Sequence, residues 1–161
     1  MPRVKKIMLT DVPTLKKEAI IEDAAKLLSR NDVGCIVIVK NNKPIGIITE
    51  LDLVRNTASR YCKLSERVSR LMSAPPTVMT PDMKLDEALK IIDTKRFRRY
   101  PVVENEELVG LATKGDVVNS ISENVKFHRN IQNTVLVLFV LFELFIFLVY
   151  SHISQYLHFW A

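Results

Sequence analysis

Apolar residues recur along this chain in two alternating registers. Ile21, Ala24, Ala25 and Leu28 fall at i, i+3, i+4 and i+7, and Leu85, Ala88, Leu89 and Ile92 repeat that spacing, so each set predicts a helix with one face turned to a core. Two short apolar runs follow each helix: Cys35 to Val39 and Pro44 to Thr49, then Tyr100 to Val103 and Leu108 to Thr113. The polar segments between them, Lys40-Asn41-Asn42-Lys43 and Glu104-Asn105-Glu106-Glu107, suit hairpin turns. A second helix succeeds each hairpin, through Leu53 and Val54 in one case and Val117, Val118 and Ile121 in the other. From Thr134 to Tyr150 the periodicity disappears, because every helical face is apolar and only Glu143 interrupts.

The chain is thus a tandem repeat. Gly46-Ile47-Ile48-Thr49-Glu50-Leu51-Asp52 returns as Gly110-Leu111-Ala112-Thr113-Lys114-Gly115-Asp116, and Val4-Lys5-Lys6-Ile7-Met8 returns as Val68-Ser69-Arg70-Leu71-Met72. Pro13-Thr14-Leu15 aligns with Pro76-Thr77-Val78 after a slip of one residue. In each copy an apolar strand stops at a threonine, with an aspartate three residues on. A threonine hydroxyl there can cap the following helix, and an acid in the first turn suits the helix dipole. The same pair also offers acceptors to ribose hydroxyls, beside helix-start amides that suit a phosphate. Both readings, cap and ligand site, are open from the residues alone. Units of this size bury too little surface to stand alone, so two intimately packed halves are expected.

The order of elements, with G-h-h-T-x-x-D closing each copy and Tyr100-Pro101-Val102-Val103 opening the second hairpin, resembles the cystathionine-β-synthase (CBS) domain family over about residues 4 to 122. The resemblance implies a mixed α/β (α+β) fold in which two copies pack pseudo-symmetrically, sheet against sheet, and leave two clefts. It implies adenosine-containing ligands (AMP, ADP, ATP or S-adenosylmethionine) and a regulatory role. It would put Asp52 and Asp116 on ribose hydroxyls, Thr49 and Thr113 near ribose or phosphate, and Leu15, Val78, Ile38 and Val102 around the base. Arg98 and Arg99, within the basic run Lys95-Arg96-Phe97-Arg98-Arg99, resemble a phosphate-binding pair. Their counterparts in the first copy are Gly34 and Cys35, so one cleft is expected to combine Thr49, Asp52, Arg98 and Arg99. The Asp116 cleft would have Lys114 as a partial substitute. The alternative for the basic run is a solvated face.

Charge and composition sharpen the picture at the C-terminus. All 23 Lys and Arg lie at or before Arg129, and Glu143 is the only formal charge beyond. The run from Thr134 to Tyr150, at the lower end of the ~17 to 25 residues a membrane span requires, therefore predicts a single transmembrane helix. Lys126, His128 and Arg129 precede the run, while Tyr150, His152, Tyr156 and Trp160 stand as interfacial anchors, which puts the N-terminal module in the cytoplasm. The expected division is a first repeat over 1–60, a second over 61–125 and a membrane-anchoring segment over 126–161. Expected partners are membrane lipid, a second copy in a homodimer and a membrane protein that Glu143 could engage. Tethering or dimerisation with empty clefts is the alternative function. Sparse aromatics and interspersed acids argue against nucleic acid. Cys35 and Cys62 lack metal-site spacing, no nucleophile stands beside a base, and none of the three histidines lies near the paired motifs, so neither a metal nor catalysis is expected.

Overall fold

The computed structural model describes residues 2–30, 34–95 and 97–159, with side chains at 2–30, 34–95, 97–122 and 131–146. The first copy contains β1 (Thr14–Lys16), α1 (Ile21–Leu28), β2 (Cys35–Lys40), β3 (Lys43–Thr49) and α2 (Glu50–Ser59). The second contains α3 (Leu85–Lys95), β4 (Arg99–Glu104), β5 (Glu107–Thr113) and α4 (Lys114–Phe159). Short 3-10 turns at Val4–Lys6 and Val68–Arg70 open the copies. β1 runs parallel to β2 and β2 antiparallel to β3, while β4 and β5 form an antiparallel pair.

β2 explains the packing. Ile36 and Ile38 lie on one face with Ala24, Leu28, Ile48 and Val68, whereas Cys35 and Val37 lie on the other with Leu111 of β5. Successive strand residues point to opposite faces, so a strand buried on both sides must be continuously apolar, as Cys35–Val39 is. Leu111 among the first copy's residues also shows that the two sheets meet. The α1 and α3 stripes are turned inward as the spacing requires: Ile21, Ala24, Leu28, Leu85, Ala88 and Ile92 are all buried.

The copies exchange their leading segments. The Leu9 amide donates to the Leu111 carbonyl at 2.9 Å and the Leu111 amide donates back at 2.8 Å, which adds the start of the first copy to β5. Reciprocally, Ser73 and Ile47 exchange bonds of 2.9 and 3.0 Å, which adds the start of the second copy to β3. Isolated bridges Arg3↔Lys84 and Ile20↔Arg67 repeat the exchange beside α3 and α1. Residues Met1–Ser120 accordingly form one compact unit, and Ile121–Ala161 form a second.

Two sequence expectations change. Leu15 pairs with Ile38, and its counterpart Met79 bridges Val102, so the repeat needs no slip and Val78 is not the equivalent of Leu15. Met79 is fully buried whereas Val78 is 37% exposed. The expected transmembrane helix is also not supported: among the described residues no helix is long and apolar enough to cross a membrane. Among the residues of α4 with described side chains, 131–146, Gln132, Asn133, Thr134 and Glu143 are polar or charged. Within it, Val135–Phe142 and Leu144–Ile146 are all exposed. The flanking side chains of Lys126, His128, Arg129, Tyr150, His152 and Tyr156, and Trp160 itself, lie outside the described residues.

Gly46 and Gly110 sit where the exchanged segments cross. A Cβ on Gly110 would stand 2.9 Å from the Leu9 carbonyl oxygen and 2.9 Å from the Met8 sulfur, whereas a Cβ on Gly46 would meet only the Met72 side chain, its sulfur at 2.5 Å. A flexible thioether can move aside and a ladder-bonded carbonyl cannot. Gly110→Ala should therefore cost about 1–3 kcal/mol of overpacking, and Gly46→Ala distinctly less. Urea-unfolding midpoints of the two variants check the ranking.

Candidate functional site

Thr49 ends β3 and caps α2. Its amide and hydroxyl both donate to Asp52 Oδ2, at 2.8 and 2.7 Å, and the Asp52 amide donates to Thr49 Oγ1 at 3.3 Å. The second copy repeats this at Thr113 and Asp116, with 3.2, 2.7 and 3.2 Å. The capping arrangement thus occurs in both copies, and it fixes the carboxylate rotamer. Both bonds that each aspartate accepts land on Oδ2, so among the described residues Oδ1 of Asp52 is left to accept from a ligand.

A cavity of about 590 Å³ opens beside Asp52 and brings together Thr49, Asp52, Arg98 and Arg99. Ile47, Pro75, Pro76 and Phe97 supply apolar wall, and Glu50, Arg55, Ser73 and Thr77 supply polar groups. Three arginines face two carboxylates, which biases the cavity toward an anion. A second cavity of about 380 Å³ is lined by Arg98, Arg99, Thr113, Lys114 and Gly115. Asp116 lines neither. Of the basic run, Lys95 ends α3 outside both cavities, and Arg96 lies outside the described residues.

The arginine pair is held by its surroundings. The hydroxyl of the buried Tyr100 donates to the Phe97 carbonyl at 2.9 Å, and the Lys114 amide donates to the Arg98 carbonyl at 2.9 Å. Arg99 crosses over Gly34, its Nη2 only 2.6 Å from where a Cβ would be and the Glu50 carboxylate close by. Gly34 has φ +63°, so the glycine serves both the left-handed backbone and the passage of the guanidinium. Cys35 lies beneath. Burial pushes its thiol up to about 11, opposed by the Arg99 guanidinium and reinforced by Glu50, so it is no nucleophile at neutral pH.

The expected base wall differs. Ile38 and Val102 are fully buried, and neither they nor Leu15 and Val78 line either cavity. The reason is strand parity: Ile38 faces α1, while Ile47, on the opposite face, reaches the cavity. Arg55 went unassigned although it lies three residues beyond Asp52, a helical spacing that sets both on one side of α2. Phe97 was hidden within the basic run, and nothing local marked Pro75 and Pro76 as wall. Among the described residues no group of His, Cys, Asp and Glu could hold a metal ion.

The CBS domain family model matches residues 4–59 and 68–123, more than half of the chain. The chain belongs to the CBS domain family. It is 32% identical over 123 residues to the CBS domain-containing protein YhcV of Bacillus subtilis (strain 168), covering 76% of this chain and 88% of that one. The crystal structure of the CBS-domain containing protein ATU1752 from Agrobacterium tumefaciens is 31% identical, with TM-score 0.65 over 74% of this chain and 98% of the other. The CBS domain protein PAE2072 from Pyrobaculum aerophilum, complexed with AMP, shares the fold at 24% identity and TM-score 0.66, over 71% and 89%. The mixed α+β tandem arrangement and the regulatory class are those of a CBS pair.

The buried Cys35 gives this CBS pair a pH signature. With the folded thiol raised to about 11, its contribution is fully present below the unfolded thiol pKa of ~8.5 and is lost as pH rises toward the folded value, amounting to roughly 3 kcal/mol. Cys35→Ala should flatten that part of the stability curve, as measured by unfolding between pH 8 and 11.

Proposed function

We propose that this CBS pair is a regulatory sensor that binds one adenosine-containing ligand in the Asp52 cavity. The observation that carries the reading is the convergence of Thr49, Asp52, Arg98 and Arg99 on one cavity with apolar walls. A carboxylate with one oxygen fixed and one available suits ribose hydroxyls, and paired guanidiniums suit phosphate through charge-assisted bonds. The Pyrobaculum protein complexed with AMP shares the fold, so the ligand assignment here rests on this cavity's own residues. Thr113 and Asp116 act chiefly as the cap of α4, and the role is binding rather than catalysis.

The same reading places the sensor at the cytoplasmic face of a membrane, as a homodimer beside a membrane-protein partner. Support comes from the exposed apolar residues of Val135–Ile146, from the apolar run continuing in sequence through Tyr150, and from the confinement of Lys and Arg to positions up to Arg129. A second reading, dimerisation or tethering with empty clefts, is favoured by the exposed Leu51 and Val54 on α2 and by Val118, the counterpart of Val54, on α4.

Titration calorimetry with AMP, ADP, ATP, S-adenosylmethionine and adenosine tests the ligand. Asp52→Ala should weaken binding more than Asp116→Ala. Changing Arg98 and Arg99 together to Ala should weaken the nucleotides about tenfold or more while sparing adenosine. Equal losses from the two aspartates would remove support for a single asymmetric cleft, and silence across the panel would favour the empty-cleft reading. For the membrane, the full chain should resist extraction by alkaline carbonate and lose that resistance when cut near Val125; release of the full chain would remove the tether.

A further inference from the structure

The second residue of the repeated cap reverses its charge between the copies. Thr49-Glu50-Leu51-Asp52 opens α2, whereas Thr113-Lys114-Gly115-Asp116 opens α4. In both copies the aspartate already supplies the first-turn acid that accepts from the capping threonine, and Lys114 shows that the cap forms without a second one. Glu50 has a different neighbour. Its Oε2 and the Arg99 Nη2 both border the space above Gly34, 3.4 and 2.6 Å from where a Cβ would be, and the Glu50 amide donates to the Gly34 carbonyl at 3.4 Å. The two charges also act on the Cys35 thiol beneath, in opposite directions. Arg99 and Glu50 line the larger cavity together, and Glu50 is exposed there.

Building on the proposed function, we infer that Glu50 is an internal competitor for Arg99: before a ligand binds, its carboxylate holds part of the guanidinium's charge, and an anionic ligand binds at the expense of that attraction. Glu50 thus sets the affinity for the charged end of the ligand and leaves the nucleoside end alone. A carboxylate and a phosphate are both oxyanions that a guanidinium meets with the same donors, so engagement with one weakens its hold on the other. Because Glu50 is exposed, water screens the competition, and the effect is a shift of affinity rather than a block.

Calorimetry of the full chain with AMP and adenosine tests this, on Glu50→Gln, Arg99→Ala and the two combined. Glu50→Gln should bind AMP about three to five times more tightly and adenosine as before, and in the Arg99→Ala background the same change should no longer improve AMP. Retained adenosine binding also shows that the variants fold. A gain that persists undiminished without Arg99 overturns the inference, because the carboxylate then acts on the ligand's charge directly. Unchanged or weakened AMP binding in Glu50→Gln overturns it and leaves the Asp52 site standing, as does an equal change for adenosine. Failure of both AMP and adenosine to bind either the native chain or Glu50→Gln overturns the proposed function and this inference with it.

Discussion

The reciprocal exchange of leading segments is the constraint on which the rest of this molecule depends. Leu9 is bonded to Leu111 and Ser73 to Ile47, so each sheet is completed by backbone from the other repeat. Gly110 is required because the Leu9 backbone passes where a side chain would otherwise stand, and at Gly46 the Met72 side chain fills that space. The pattern of the closing motif thus has a packing cause at its first residue and a capping cause at its threonine and aspartate, before any ligand is considered.

The exchange also builds the larger cavity from both repeats. Thr49 and Asp52 come from the first, while Ser73, Pro75, Pro76, Phe97, Arg98 and Arg99 come from the second. Pseudo-symmetry gives both repeats the same cap, but the first repeat has Gly34 and Cys35 where the second has Arg98 and Arg99. At Gly34 the absence of a side chain lets Arg99 lie across the strand end. The departure from symmetry at these two positions turns two equivalent clefts into one apolar, carboxylate-bearing cavity and one small basic one.

Much of the fold was legible because burial imposes periods on a sequence. The α1 and α3 stripes, the hairpins and the repeat all followed from spacing. The lining of the candidate cavity was legible where its residues belong to the repeated motif or form an obvious charge pair. The base wall was not, because both faces of β2 are apolar and composition does not say that Ile38 faces α1. The one-residue slip at Pro76 had the same origin: two adjacent prolines offered two alignments, and only the bridge of Met79 to Val102 decides between them. Pro75, Pro76 and Phe97 lie far along the chain from Asp52, and only the exchanged topology unites them.

The double engagement of the aspartate has a consequence for how such modules change over time. Asp116 holds the start of α4 through the same contacts with which Asp52 holds α2, yet it lines no cavity. Selection for a well-capped helix is sufficient to retain it. A repeat that ceases to recognise any small molecule would therefore keep its signature aspartate.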